Sequence, residues 1–157
     1  MIKNKNKINA IIKNAKIFVE LNKDYKNYRN YILSFVPNYP KADISEIRKL
    51  RQDLRKRFAF IGPATVNHLL TDYRLPVLKP DRMIMRVLYR THLLKTENLE
   101  DFDKAIEIGQ IISNKFKLPI RYVDTVLVCL GQVGEANICR KKDPKCNICE
   151  LEKICKF

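Results

Sequence analysis

Glycine is scarce in this sequence, with four residues among 157. Because tight turns often need glycine, its scarcity argues for helices with few hairpin turns. Long apolar stretches are also missing, since no run approaches the roughly 20 residues of a membrane span. The first residues, Met1-Ile-Lys-Asn-Lys-Asn-Lys7, contain no hydrophobic segment of the kind found in signal peptides. The sequence therefore predicts a cytoplasmic protein without a membrane partner.

Acidic residues are in the minority, with 17 Asp and Glu against 31 Lys and Arg, which gives a net charge of +14. This excess says little about the fold but favours a polyanionic partner. Nucleic acid and an anionic membrane surface both qualify by charge alone, and the motifs below favour nucleic acid. Hydrophobic residues make up 46% and charged residues 31% of the chain, a composition that supports folding over disorder. The length is enough for one domain with a modest core.

Apolar residues recur at helical spacing along most of the chain, and no stretch alternates as a strand does. The sequence therefore predicts an all-α fold. Pro63 suits the first position of a helix, where its missing N–H is not needed. The predicted helices cover residues 8–19, Tyr25 to Phe35, Asp43 or Ser45 to about Arg57, Pro63 through Leu70, Pro80 through Leu88, Leu99 to Phe116, and a last stretch from Pro119 to Gly131 or Gly134.

Five cysteines in a reducing compartment favour metal binding over disulfides. Four of them have the spacing C-x6-C-x2-C-x5-C, namely Cys139, Cys146, Cys149 and Cys155. Four soft thiolate ligands suit either tetrahedral zinc or an iron–sulfur cluster. Zinc sites usually pair two short knuckles and this segment has one, so the spacing favours the cluster, with zinc as the alternative. Cys129 lies in the apolar run Val126 to Leu130 and is predicted to be buried.

The four gaps resemble, one by one, those of the C-terminal loop of endonuclease III and the MutY-type adenine glycosylases. The resemblance implies a [4Fe-4S] cluster held by the four cysteines in a structural loop that lies against the DNA backbone. Residues 139–157 would form this loop and residues 1–138 a helical domain. The segment between the first two cysteines is basic and suits phosphate contact through Arg140, Lys141, Lys142 and Lys145. A solvated charged loop is the alternative interpretation.

Residues Phe60-Ile-Gly-Pro-Ala-Thr-Val-Asn67 lie between two predicted helices and resemble the helix–hairpin–helix of the same superfamily, called HhH-GPD. Gly62 lets the backbone approach a phosphate closely, and the first amides of the next helix point at it. The candidate contacts in this turn are Gly62, Ala64 and Thr65. The preceding helix carries six basic residues between Arg48 and Arg57 against one acid, Asp53, which favours DNA binding over a simple turn.

Downstream of the hairpin, residues 77–87 resemble the region where the superfamily places its catalytic aspartate, and Asp81 is at the matching position. A carboxylate there can stabilise positive charge on the sugar and orient or deprotonate the attacking water. Taken without the resemblance, Asp81 is predicted to cap the helix that follows Pro80. Val123-Asp-Thr125 also looks like the surroundings of that aspartate, but it lies far from the hairpin inside an apolar helix, so Asp124 is the weaker candidate.

Members of the superfamily with lyase activity carry a lysine two residues after the second glycine of their hairpin. Gly62 is at the position of that glycine, and this chain has Ala64 in place of the lysine. Since an amine is needed for a Schiff base, the resemblance implies a monofunctional glycosylase. Three segments resemble 3-methyladenine glycosylase I, which favours alkylated bases: Lys7-Ile-Asn-Ala-Ile-Ile-Lys-Asn-Ala-Lys16, Tyr31-Ile-Leu-Ser-Phe35 and Phe58-Ala-Phe-Ile-Gly-Pro63. Both relatives have further helices ahead of this region, so an upstream start, a second chain or a reduced form is expected. Asn67, His68 and Tyr73 are weak candidates for the base pocket.

The sequence leaves three hypotheses. The first is a base-excision enzyme that hydrolyses the N-glycosidic bond of a damaged or mismatched base in double-stranded DNA. The second is a DNA-binding module without activity of its own, such as half of a split glycosylase, which would bind duplex in a salt-dependent manner. The third is a zinc-stabilised basic protein that binds RNA, which a visible absorbance band of an iron–thiolate cluster would exclude.

Overall fold

The computed structural model describes residues 4–98, 101–132 and 134–157. Every regular element in these ranges is helical, and no strand occurs in them, which confirms the predicted all-α fold. The helices are α1 (Lys5–Tyr25), α2 (Tyr28–Phe35), α3 (Ile44–Arg57), α4 (Pro63–Asp72), α5 (Arg82–Arg90), α6 (Phe102–Phe116) and α7 (Ile120–Gly131), followed by two 3₁₀ turns at Cys146–Ile148 and Glu152–Ile154.

The chain forms two compact units, Met1–Leu69 and Leu70–Phe157, so the division falls within α4. The predicted boundary between residues 138 and 139 separates the cysteine loop from the helices and stays a prediction. No helix in the described ranges is both long enough and apolar enough to cross a bilayer.

In the first unit, polar side chains cap the N-termini of α1, α2 and α3. The side chains of Asn4 and Asn27 accept hydrogen bonds from the first turns of α1 and α2. Asp43 and Glu46 form a reciprocal capping box at the start of α3, which satisfies backbone donors that the helix leaves open. α2 packs on both α1 and α3. Their core is apolar and fully buried: Leu21, Tyr31, Ile47, Leu50 and Leu54.

The second unit is built around α7, which packs on both α5 and α6. Asp81 caps α5, and the helix is strongly amphipathic, with its apolar residues on the inner face. Leu75, Leu78, Ile84, Leu88 and Ile106 are at most 1% exposed and form its core. The unit ends in the cysteine loop, residues 139–157.

Several boundaries and burials differ from the predictions. α2 begins at Tyr28 rather than Tyr25, because Asn27 caps it. The predicted start of α6 at Leu99 lies outside the described residues, and the helix begins at Phe102. Cys129 is only partly buried, so the prediction that it lies in the core is wrong. It lies on α7, where Thr125 and Val126 are also exposed. The apolar pattern of α1 identifies a helix, yet Ile11 is 61% exposed.

Candidate functional site

The turn between α3 and α4 in the first unit opens its backbone to solvent. The first amide that bonds into α4 is that of Val66, which donates to the Gly62 carbonyl at 3.0 Å. The amides of Gly62, Ala64 and Thr65 therefore precede the helical ladder, and they donate no hydrogen bond within the described part of the chain. A Cβ atom placed on Gly62 would meet nothing within 4 Å. Open amides at a helix start are suited to an anion such as phosphate.

Asn14 fixes the backbone of this turn from α1. Its side-chain oxygen accepts a hydrogen bond from the Ala59 amide at 2.8 Å, and its side-chain amide nitrogen donates to the Ala59 carbonyl at 3.1 Å. The next residue, Phe60, has a φ of 62°, a left-handed conformation that is uncommon for a bulky side chain. The ring of Phe58, just before, packs against the Phe18 ring at 5.1 Å between centroids. The turn is thus held to α1 at Phe58 and at Ala59.

Arg57, a predicted DNA contact at the end of α3, is bound to the lone acid of its basic stretch. Its Nε donates to Asp53 Oδ2 at 2.5 Å, and the Tyr31 hydroxyl donates to the same oxygen at 2.6 Å. Tyr31 is fully buried, and burial together with the hydrogen bond to Asp53 raises the pKa of its hydroxyl well above the usual value. The Arg57 side chain is 40% exposed, so the rest of its guanidinium faces solvent.

Asp81, the predicted catalytic residue, lies at the first position before α5 in the second unit. One carboxylate oxygen, Oδ1, accepts the amides of Met83 and Ile84 at 2.8 and 3.0 Å. The predicted capping role is therefore present. The side chain is only partly buried, and its other oxygen, Oδ2, accepts no hydrogen bond from the described residues. A carboxylate here gains from the positive end of the helix dipole.

Asp124 lies close to Asp81 but is 2% exposed. Its Oδ1 accepts the Lys79 amide at 2.7 Å, and its Oδ2 accepts from Arg121 at 2.8 Å. Burial raises the pKa of Asp124, the Lys79 amide and Arg121 lower it, and the nearby Asp81 carboxylate raises it further. With both oxygens occupied and little exposure, Asp124 is a poor candidate for contact with a substrate, as the sequence predicted.

The four cysteines of the loop are all partly buried and none forms a disulfide. Arg90 at the end of α5 is 7% exposed, and it donates to the Cys139 sulfur at 3.5 Å and to the Arg140 carbonyl at 2.9 Å. Arg86, one turn earlier, donates to the Cys139 carbonyl at 2.9 Å. Burial raises the pKa of the Cys139 thiol, and Arg90 opposes that rise.

The far end of the same loop returns to the same helix. The Lys156 amide donates to the Arg90 carbonyl at 2.8 Å, and the Phe157 ring lies 4.0 Å from the Arg90 guanidinium. The Lys156 ammonium lies 3.2 Å from the centroid of the Tyr89 ring. The last turn of α5 therefore anchors both ends of the loop.

The donor set fits an iron–sulfur cluster or zinc by its chemistry, since one short loop carries four thiols. The first of them, Cys139, contacts a buried guanidinium that favours thiolate charge. As placed, however, no group of three or more His, Cys, Asp or Glu side chains in the described ranges could hold a metal ion. The sulfurs would have to converge on binding. The predicted cofactor is therefore still a prediction.

The basic residues between Cys139 and Cys146 differ in their exposure to solvent. Lys141, Lys142 and Lys145 are exposed, as phosphate contacts must be. Arg140 is partly buried, and its guanidinium donates to the Asp143 carbonyl of its own loop. The arrangement leaves the three lysines as the accessible cations of this segment.

Among the weak base-pocket candidates, Asn67 is fully buried and donates to the Pro63 carbonyl at 3.1 Å, which makes it a packing residue of α4. Sequence reasoning missed Asn14, Arg86 and Arg90. Only the spacing of Arg86 and Arg90, four residues apart on one helix face, could have drawn attention to them.

Similarity to known proteins is confined to the first part of the chain. Residues 1–73 match the family model described as methyladenine glycosylase. The match covers slightly less than half of the 157 residues, and it contains α1 to α4 with the hairpin turn. It confirms the resemblance predicted for three segments between Lys7 and Pro63, whereas the cysteine loop lies outside it. No curated protein and no solved structure matches the chain.

Proposed function

We propose that this protein is a DNA N-glycosylase of base excision repair, which hydrolyses the bond between a damaged base and its deoxyribose. The match of residues 1–73 to methyladenine glycosylases carries the proposal and favours alkylated bases as the substrate. The open amides of the hairpin and the net charge of +14 support a duplex DNA partner. Such a substrate implies an intracellular place of action.

Asp81 is the residue that performs the chemistry in this proposal. As the N-glycosidic bond breaks, the base leaves with the bonding electrons and positive charge develops on the sugar, which the Asp81 carboxylate stabilises. The oxygen of a water molecule then bonds to the sugar carbon and gives a proton to Asp81. Because Ala64 offers no amine for a Schiff base, the product is an intact abasic site and the enzyme has no lyase activity.

The cysteine loop serves binding rather than bond breaking. Cys139, Cys146, Cys149 and Cys155 would hold a [4Fe-4S] cluster, which supplies a rigid core for the loop when it is bound. Arg90 orients the first of these cysteines through its sulfur contact. The exposed lysines of the loop then contact the DNA backbone, while the amides at Gly62 and Ala64 bind a phosphate.

The decisive experiment replaces Asp81 with asparagine. Asparagine caps helices as well as aspartate, so Asp81→Asn removes the charge and keeps the start of α5. We expect base release from duplex containing alkylated purines to fall at least about 100-fold, with duplex affinity unchanged. Asp24→Asn, on the exposed face of α1, is the matched control and is expected to retain full activity. Equal activity in both variants would remove Asp81 from the mechanism.

A partner-dependent DNA-binding module is the second candidate function. The exposed apolar side chains along α1, including Ile11 at 61% and Val19 at 57%, favour it because such a face suits a second polypeptide. This candidate predicts salt-dependent duplex binding without base release by the wild-type chain alone. Metal analysis separates the third hypothesis, since stoichiometric zinc in a colourless protein would point to a zinc-stabilised module.

A further inference from the structure

The segment that leads into α5 is held in place from two other helices. Gln110 on α6 donates to the Pro76 carbonyl at 2.8 Å. Asp124 on α7 accepts the Lys79 amide at 2.7 Å. The Lys79 carbonyl in turn accepts the amide of Asp81 at 2.6 Å. A continuous chain of hydrogen bonds thus runs from the buried Asp124 carboxylate through Lys79 to the backbone of Asp81.

Asp124 has the features of a support rather than of a reacting group. It is 2% exposed, and each of its two oxygens already accepts a hydrogen bond, one from Lys79 and one from Arg121. Burying a carboxylate is costly unless such bonds compensate it. The bond to Lys79 is the one that bears on the start of α5, since Arg121 belongs to the same helix as Asp124.

We propose that Asp124 is a positioning residue for Asp81. By holding the Lys79 peptide, it fixes the backbone that carries Asp81 and so the direction in which the Asp81 carboxylate faces the substrate. This inference rests on the proposed catalytic role of Asp81. It also gives a role to a residue that the sequence made only the weaker catalytic candidate.

The electrostatics of the pair agree with this assignment. The Asp81 carboxylate acts on Asp124 as a like charge, which raises the pKa of Asp124. Like charges repel, so attraction between the two carboxylates cannot hold Asp81 in place. The hydrogen bond from the Lys79 amide is the contact through which Asp124 holds the backbone before Asp81.

The test compares Asp124→Ala and Asp124→Asn with Gln110→Ala in the full chain. Gln110→Ala is the matched control because it removes a hydrogen bond to the same segment farther from Asp81. Hydrogen exchange of the Lys79, Met83 and Ile84 amides, followed by NMR, reports the positioning without any substrate. In Asp124→Ala we expect the Lys79 amide to exchange about tenfold faster or more, since its hydrogen bond to a charged group is lost. The Met83 and Ile84 amides should also exchange faster, because the Asp81 carboxylate that accepts them is no longer held in place.

Asp124→Asn keeps an oxygen that can accept the Lys79 amide, so it should restore most of the protection. It also serves as the folded variant if Asp124→Ala does not fold. Gln110→Ala should leave the Met83 and Ile84 amides as they are in the wild type. Unchanged exchange at Met83 and Ile84 in Asp124→Ala, or equal acceleration in Gln110→Ala, overturns the inference.

Base release supplies a second measurement. Asp124→Ala should lower the single-turnover rate about tenfold with duplex affinity unchanged, and Asp124→Asn should recover most of the rate. If the wild type releases no base, the proposed function fails, whereas the amide exchange still decides the role of Asp124. If the wild type is active and Asp124→Ala matches it, the inference alone fails.

Discussion

Asn14 connects α1 to the hairpin through both atoms of its amide. The contact compensates a backbone amide and carbonyl that no helix satisfies, next to the left-handed Phe60. Loss of such a pair leaves partly buried polar groups without partners, which is costly. The turn between α3 and α4 therefore depends on a side chain 45 residues away along the chain.

Asn14→Ala is expected to lower the free energy of unfolding by about 1–3 kcal/mol and to weaken duplex binding. Urea denaturation and fluorescence anisotropy with a labelled duplex measure the two effects. Asn6→Ala, on an exposed position of the same helix, is the control and should change neither quantity. Equal stability and duplex affinity in the two variants would show that the turn does not depend on the Asn14 contact.

Asp124 also predicts a pH dependence of stability. Its pKa is raised in the folded chain above the usual 3.8, mainly by burial. As the pH rises through the window between 3.8 and the folded value, the unfolded chain releases this proton first, so the wild type loses stability. Relative to Asp124→Asn, the loss has a slope of at most about 1.4 kcal/mol per pH unit. Urea midpoints of both proteins across this window give the difference, and a wild type that gains on the variant contradicts the prediction.

At the level of elements, α6 is fitted closely to the segment before α5. A Cβ atom placed on Gly109 would lie 2.4 to 2.9 Å from the side-chain carbons of Leu78, which is fully buried. Glycine in a helix interior normally costs about 1 kcal/mol relative to alanine. Here the close packing outweighs the gain in helix propensity, because the buried Leu78 side chain cannot move aside into solvent.

Gly109→Ala is therefore expected to lower the free energy of unfolding, by about 1–3 kcal/mol for the overpacking, in spite of its better helix propensity. The double variant Gly109→Ala with Leu78→Val should recover part of that loss, since valine is shorter. Thermal unfolding of the four proteins in the cycle measures the coupling. A stabilised Gly109→Ala would show that Leu78 can move aside.

For the whole molecule, the excess of positive charge predicts binding to DNA that depends strongly on salt. Each neutralised phosphate contributes about 0.9 to the slope of log K against log salt concentration. The triple variant of Lys141, Lys142 and Lys145 to glutamine should lower the slope by about two to three. A triple variant of Lys13, Lys16 and Lys23 in α1 carries the same change in charge. An equal fall in both would mean that net charge alone, rather than the loop, sets the binding.

Much of the fold followed from local patterns. Asp43 and Pro63 mark helix starts because capping and the missing proline N–H act within one turn. The match of residues 1–73 supports the prediction made from the hairpin sequence. The roles of Asp81, the hairpin amides and the cysteines stay predictions.

What the sequence could not predict depends on contacts between distant segments. Asn14 meets Ala59, and Arg90 meets Cys139, across 45 and 49 residues, and no periodicity encodes such pairs. Burial was equally hard to predict. The helical period of α1 shows which residues share a face but not whether a neighbour covers that face, so Ile11 and Val19 are exposed.

Arg90 forms hydrogen bonds with Arg140 at the start of the cysteine loop and with Lys156 at its end. The length of the segment between these two residues can therefore change without moving the helices. Extra neutral residues in this span would enlarge a closed ring whose two ends stay at Arg90, at an entropic cost of about 0.6 kcal/mol for each doubling of its length, although they would also change the spacing of the four cysteines. A change of length in this loop would therefore leave the helices and the cap of α5 at Asp81 in place.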